Sequence, residues 1–379
     1  MKNTISLLFT LISILSYSQS QHLKTFKLLP PESNQYTDLE FLNKELQDKQ
    51  LVMLGEYTHM YGNIFEMKAR IIEYLHKDLG YTTIAMESSM YDLWLMNKKG
   101  FTSKGFNKAI WGVWSQNKEF QRLINYIDSN NIKVIGFDSQ VKNSSQFIGD
   151  FFDYCHDNNI DLKLDEDDMG IIIEGVLESV TFEEDDIKYE VYEKEIKRII
   201  QLIEKLESNE TNYYWLKFTK GLLSCSKDAF YNTEEFETTD LGNKNHNFRD
   251  AQMADNLLSY MRRFPNEKII CWADNIHVIN NISSVKKPII KDFVSMGNHI
   301  KKVLKNKVYS LATIHANDSL YDISSKIWHK TPIQENSFEH ELNSLNTPYL
   351  FVSSNQENMQ AHKQSRILNF IDYTDIQLN

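Results

Sequence analysis

Six residues able to move protons or hold a cation recur at one kind of position. Glu56, His59, Glu87, Asp138, Asp274 and His277 each lie at or just past the end of a short apolar run. Leu51-Val52-Met53-Leu54 leads into Gly55-Glu56-Tyr57-Thr58-His59, and Thr83-Ile84-Ala85-Met86 into Glu87-Ser88-Ser89. Lys133-Val134-Ile135-Gly136-Phe137 leads into Asp138-Ser139-Gln140, and Ile269-Ile270-Cys271-Trp272-Ala273 into Asp274-Asn275-Ile276-His277. Histidines among carboxylates suit two chemistries: water activated by a general base, or a divalent ion held by His59, Glu87, Asp274 and His277. Each histidine follows a carboxylate by three residues, a spacing known from di-metal helical bundles; these pairs follow strands, so the bundle geometry does not transfer. A cap or loop hydrogen bond could explain any one of these residues. Four strand ends in succession point instead to one shared site.

The elements that must position these residues follow from the runs themselves. They lack strict alternation and are rich in β-branched residues, as strands buried on both faces are, and Val308-Tyr309-Ser310-Leu311-Ala312 and Tyr349-Leu350-Phe351-Val352 read the same way. Strand and helix alternate, so the expected fold class is α/β, a mostly parallel central sheet flanked by helices. In such a sheet the carboxyl ends share one edge, and ligands bind in the crevice there. Between the first two strands Ile64, Met67, Ile71, Ile72 and Leu75 keep a helical period, with Glu66 and Arg70 paired on the other side. Lys68 breaks the apolar stripe, four residues after Ile64 and four before Ile72. Either its stem snorkels to water or its ammonium is held by carboxylates at the sheet end. From about 150 to 263 the chain is helical in character, too long for an ordinary crossover, so a large helical insertion is expected between the third and fourth strands. Its acidic runs, Asp165–Asp168 and Glu183–Asp186, read as solvated helix ends and loops.

Composition narrows the function. A formal net charge of −11 over 379 residues argues against a nucleic-acid partner, which needs a basic face. Three cysteines without a CxxC pair give neither a disulfide framework nor a zinc knuckle. No G-x-S-x-G elbow, dinucleotide glycine fingerprint or phosphate loop is present, which removes ordinary serine-hydrolase and nucleotide chemistry. Lys2 followed by the apolar run Ile5–Leu15 and the small residues near Ser18 and Ser20 reads as a secretory signal. The run is about half of the ~20 residues that cross a bilayer. The expectation is therefore a signal peptide over 1–18, cleaved after Ser18 or Ser20, and a single catalytic domain over 19–379. The mature protein would be periplasmic or secreted, with no membrane contact.

In order and spacing, these segments resemble the erythromycin esterase family. The matching stretches are Leu54–His59, Asn63–Arg70, Gly80–Glu87, Gly136-Phe137-Asp138, Asn247–Asn256 and Trp272–Val278, with Met296-Gly297 as a late feature. The resemblance implies hydrolysis of the lactone ester of macrolide antibiotics such as erythromycin, hence macrolide resistance, by histidine-activated water without an obligatory metal cofactor. It places the general base on His59 and acids on Glu56 and Glu87, either of which would orient the imidazole. The basic residue nine positions after that histidine, commonly arginine in macrolide-hydrolysing members, is Lys68 here. Lys68 and His277 would stabilise the oxyanion, and Asp274, Asp138 and Arg249 would meet the substrate. The family's last motif carries two histidines three apart; Asp274 replaces the first, so an acceptor-only anion stands where a donor or neutral ligand is usual. Arg249, Asp250 and Asn256 fit either a substrate contact or an anchor for the helix before the fourth strand. Two other readings stay open: a hydrolase of the same fold acting on another ester or amide, with a divalent metal if one is needed, and a ligand-binding relative without turnover.

Overall fold

The structure, a computed structural model, describes residues 24–59, 61–178, 188–231, 246–281, 285, 290, 292–315, 319–322, 326–330, 332–353, 362–365 and 374–377. The expected signal segment and the acidic run Glu183–Asp186 lie outside them. Five strands, β1 (Leu51–Glu56), β2 (Thr83–Ser89), β3 (Lys133–Asp138), β4 (Ile269–Asp274) and β5 (Val308–Ala312), form one sheet in the order β3-β2-β4-β1-β5. All neighbouring pairs are parallel. β1, β2 and β4 are buried along their whole length. Successive side chains alternate between two layers. Val52, Leu54, Ile84, Met86, Ile270 and Trp272 face a core shared with helix α1 (Gly62–Leu79), whereas Leu51, Met53, Ala85, Ile269, Cys271 and Ala273 face a second core. The second core is completed by α8 (His246–Arg263) and α10 (Met296–Leu304). Burial pushes the Cys271 thiol pKa up, consistent with a small buried hydrophobe.

The sixth apolar run corrects the sequence reading. Leu350–Ser353 pairs antiparallel with Lys24–Lys27, away from the central sheet. Its residues alternate between half-buried and buried, the mark of a strand with one covered face.

Between β3 and β4 lie helices α4 (Ser144–Asp157), α5 (Glu166–Glu178), α6 (Tyr189–Ile203), α7 (Glu210–Tyr231) and α8. Phe147, Phe151, Ile173, Tyr192, Ile196, Trp215 and Phe218 give this region its own core, joined by Tyr91 and Trp94 of α2 (Met90–Lys99). Trp94 is thus a packing residue of the helical layer. Glu166, Asp167 and Asp168 are exposed in the first turn of α5, where the partial positive charge of a helix start favours them. Among the described residues no helix is long and apolar enough to cross a membrane.

Two glycines permit the close approaches that shape the sheet edge. A Cβ on Gly55 would lie 2.3 Å from Asn275 Oδ1 and 2.5 Å from Val278, on the short helix α9 (Asn275–Val278) that seals the end of β1. A Cβ on Gly136 would lie 2.4 Å from the Ser89 carbonyl and 2.6 Å from that of Ser88, where the β2–β3 register shifts. Both obstacles at Gly136 are backbone, so neither can rotate aside. Gly136→Ala should therefore lower stability by about 1–3 kcal/mol, as overpacking does, read as a lower denaturant midpoint with unchanged m-value.

Candidate active site

The register of the sheet brings the polar strand ends together. Glu56 and Asp274 are partners at the end of the β1–β4 ladder. The β2–β4 ladder stops at Met86 and Trp272, and the Glu87 side chain carries on across the gap: its Oε2 accepts from the Asp274 backbone N–H at 2.7 Å. Ser89 pairs with Asp138 on the outer side.

Glu56 is fully buried and receives three donors. Lys68 Nζ donates to Oε2 at 2.7 Å, and Trp114 Nε1 donates to Oε1 at 2.8 Å. His59 Nδ1 lies 2.7 Å from the same Oε1. An ammonium and an indole can only donate, so Glu56 is held as an acceptor and the His59 Nδ1 must carry the hydrogen. This leaves Nε2 as the basic nitrogen, and among the described residues it has no hydrogen-bond partner. The ring stands edge-on to Trp114, centroids 5.1 Å apart at 74°. The His59 side chain keeps 31% of its surface exposed, so water reaches it. Burial lowers its pKa, but the hydrogen bond and charge of Glu56, with Glu87 and Asp274 nearby, overcome this and raise it to about 9.

The anomaly on the α1 stripe is explained by the same carboxylate. Lys68 is completely buried, lies 3.8 Å from the centroid of the Trp272 ring, and faces the Ala273 carbonyl at 3.4 Å. Burial lowers its pKa while Glu56 opposes the change. The ammonium is therefore held by a carboxylate at the sheet end, and its stem does not snorkel to water.

A second cluster adjoins the first. His277 Nδ1 contacts both oxygens of Asp250 at 2.9 and 3.1 Å, and its Nε2 lies 3.2 Å from Glu87 Oε1. Burial lowers the pKa of this ring, but two flanking carboxylates raise it well above the ordinary histidine value. The Glu87 carboxyl is in turn lowered: burial raises its pKa, and His277, His59 and Arg249 more than offset that. Asp250 is itself fixed, accepting the Met296 N–H at 2.6 Å. Arg249 clasps Asp138 through Nε at 3.1 Å and Nη2 at 2.6 Å, with Glu87 at 3.6 Å. Asp274 Oδ1 caps α9 by accepting the Ile276 N–H at 2.9 Å. Burial raises the Asp274 pKa to about 7, His59 working against the shift and Glu87 with it.

The eight residues named from the sequence thus surround one edge of the sheet, but in unequal positions. Lys68 and His277, expected at the oxyanion, are buried with their donors committed to carboxylates. Asp138, expected at the substrate, is buried with both oxygens bonded to Arg249. His59 and Arg249 retain exposed surface. As metal ligands the expected four do not fit: His277 has both nitrogens against carboxylates, and among the described residues no group of three or more His, Cys, Asp or Glu is disposed to hold an ion. Beside the site, Tyr57 and Tyr61 pack on His315 at 4.9 and 4.4 Å between centroids, and Trp114 donates to Glu56. Asn256 donates to the Phe137 carbonyl at 2.9 Å, an anchor for α8. The indole of Trp114 and the His277 partnership of Asp250 had no signal in the spacing; Asp250 was visible only as part of a shared stretch.

A parallel α/β sheet with a buried acid holding a partly exposed imidazole at its carboxyl edge is an arrangement that can serve a hydrolase. The erythromycin esterase model matches residues 76–375, and the chain belongs to the erythromycin esterase family. The match begins after β1, so Glu56, His59 and Lys68 precede it. YbfO of Bacillus subtilis (strain 168), which bears a provisional hydrolase name, is 28% identical over 348 residues, covering 83% of this chain and 76% of YbfO. The fold is similar to a crystal structure of a succinoglycan biosynthesis protein, with TM-score 0.63 and 20% identity over 93% of this chain and 91% of that one. It is also similar to a mutant of the erythromycin esterase EreC in its open conformation, with TM-score 0.62 and 14% identity over 86% of this chain and 87% of that one.

Proposed function

We propose that this protein opens the lactone ring of a macrolide such as erythromycin by direct attack of water, and so confers macrolide resistance. The observation that carries this reading is the Glu56–His59 pair, with Nδ1 fixed to a buried acid and Nε2 without a protein partner among the described residues. Water adds to the acyl carbon as His59 Nε2 takes its proton; the acyl carbon–oxygen bond then breaks, and the imidazolium returns the proton to the leaving alkoxide, giving a hydroxy acid. With Lys68 and His277 committed to carboxylates, the cation assigned to the oxyanion is Arg249, whose Nη1 makes no hydrogen bond among the described residues. No resident metal enters this scheme, so EDTA should leave the rate unchanged. The amino-terminal pattern supports export to the periplasm or medium, and a small-molecule ester is the only partner required.

Incubation with erythromycin tests the substrate: a product heavier by one water supports the proposal, and an unaltered macrolide refutes it. Asp274 in place of the family's histidine, and the use of this fold by a succinoglycan biosynthesis protein, support a second reading in which another ester is cleaved by the same machinery. The pH profile tests the base. A neutral imidazole is needed, so kcat/KM should rise with pH through an apparent pKa near 9. A limb near 7 instead would place the controlling proton on Asp274.

A further inference from the structure

Trp114 lies on α3 (Gly112–Ser115), a helix of four residues, and is 1% exposed. A tryptophan so placed normally does no more than fill space. Its indole N–H, however, is not spent on a backbone carbonyl: it donates at 2.8 Å to Glu56 Oε1, the oxygen that also receives His59 Nδ1 at 2.7 Å. The same indole stands at 74° to the His59 ring, with centroids 5.1 Å apart. One side chain therefore touches both members of the acid–base pair, the acid through a hydrogen bond and the base through its ring edge. Lys68 occupies the other oxygen, Oε2, so the carboxylate cannot rotate without breaking two charge-assisted contacts.

We propose that Trp114 is a positioning residue for His59: it fixes the Glu56 carboxylate and draws off part of the charge that Oε1 presents to the imidazole. The inference rests on His59 being the base of the proposed hydrolysis. Its physical content is a competition for one oxygen. Two donors on Oε1 each receive a weaker bond than either would alone. Without the indole N–H, the full acceptor strength of Oε1 falls on His59 Nδ1–H, which favours the imidazolium. The base then becomes available only at higher pH. A tryptophan that merely filled space would show no such effect, because replacing it would lower the rate by the same factor at every pH.

The test uses the full chain with Trp114 replaced by 3-benzothienylalanine, which keeps the shape of the ring and exchanges the N–H for sulfur. Trp114→Phe serves as a second variant. The imidazole of His59, assigned by its loss in His59→Ala, is titrated by NMR with no substrate present. The expected result is an upward move of the His59 titration of about one unit, a tenfold loss of neutral imidazole near neutrality. With an ester substrate, kcat/KM should fall about tenfold near neutrality and recover at alkaline pH, with KM little changed. An unmoved or lowered His59 titration in the isosteric variant overturns the proposal. Because the titration needs no turnover, a shifted His59 in a protein that hydrolyses no ester would refute the hydrolysis reading while upholding the role of Trp114.

Discussion

Replacing His59 by alanine should reduce turnover of the ester substrate about 10²–10⁴-fold and leave the unfolding midpoint nearly unchanged. The two parts of this expectation have separate causes. His59 is partly exposed and contributes one hydrogen bond to Glu56, which keeps Lys68 and Trp114 as donors when the imidazole is gone. The buried acid thus stays satisfied, and the fold loses little. Turnover, by contrast, loses the nitrogen that would accept the proton of water. Rate measurements on purified variant and parent, alongside denaturant unfolding, check both parts. A variant with full activity would remove His59 from the chemistry. A variant that fails to fold would show that the ring is structural.

The second large effect is expected at Lys68, with the opposite balance. Lys68→Met should cost about 3–5 kcal/mol of stability, because it strips the buried ammonium from Glu56 Oε2 and leaves that carboxylate only the partly exposed His59 as a counter-charge. Glu56 and Lys68 are each fully buried and meet at 2.7 Å, so water cannot replace the ammonium. The double variant Lys68→Met with Glu56→Gln should recover a large part of the loss, since it removes the carboxylate charge as well. Equilibrium denaturation of the parent, both single variants and the double variant measures the coupling. Independent, additive effects would contradict the reading of Lys68 as the counter-ion that makes a buried acid tolerable. Activity in the single variant should also fall, because a Glu56 without its second anchor no longer fixes the His59 ring.

These expectations also show what the sequence makes legible. Five of the six apolar runs became strands of one parallel sheet; in four of them burial on both faces leaves a direct imprint, with no polar alternation and a polar residue as soon as the strand emerges, whereas Val308–Ala312 at the sheet edge is mostly half-buried. The sixth, Leu350–Ser353, has the same composition over so few residues that its one-sided burial could not be distinguished. Lys68 was legible as an anomaly, since a cation on an apolar helical stripe demands an explanation, though not as a partner of Glu56. Strand order was the missing information. β4 enters between β1 and β2, and only that insertion sets Asp274 beside Glu56 and brings the Asp274 amide to Glu87. Trp114 left no imprint at all, because a four-residue helix has no period and a buried tryptophan is usually packing. The commitment of His277 to Asp250 and Glu87 was equally hidden, for it depends on how α8 is docked against the sheet edge. The residue types therefore announced a cluster of ionisable side chains at one sheet edge, while the division into exposed and buried members required the packing.

The proposal that His59 activates water directly is tested most sharply in heavy-oxygen water. Single turnover of erythromycin there should place one heavy oxygen in the new carboxylate and none in the released hydroxyl, with no covalent adduct on the protein at any time. An acyl-protein species, or label in the alcohol oxygen, would contradict the direct attack of water on the lactone carbonyl.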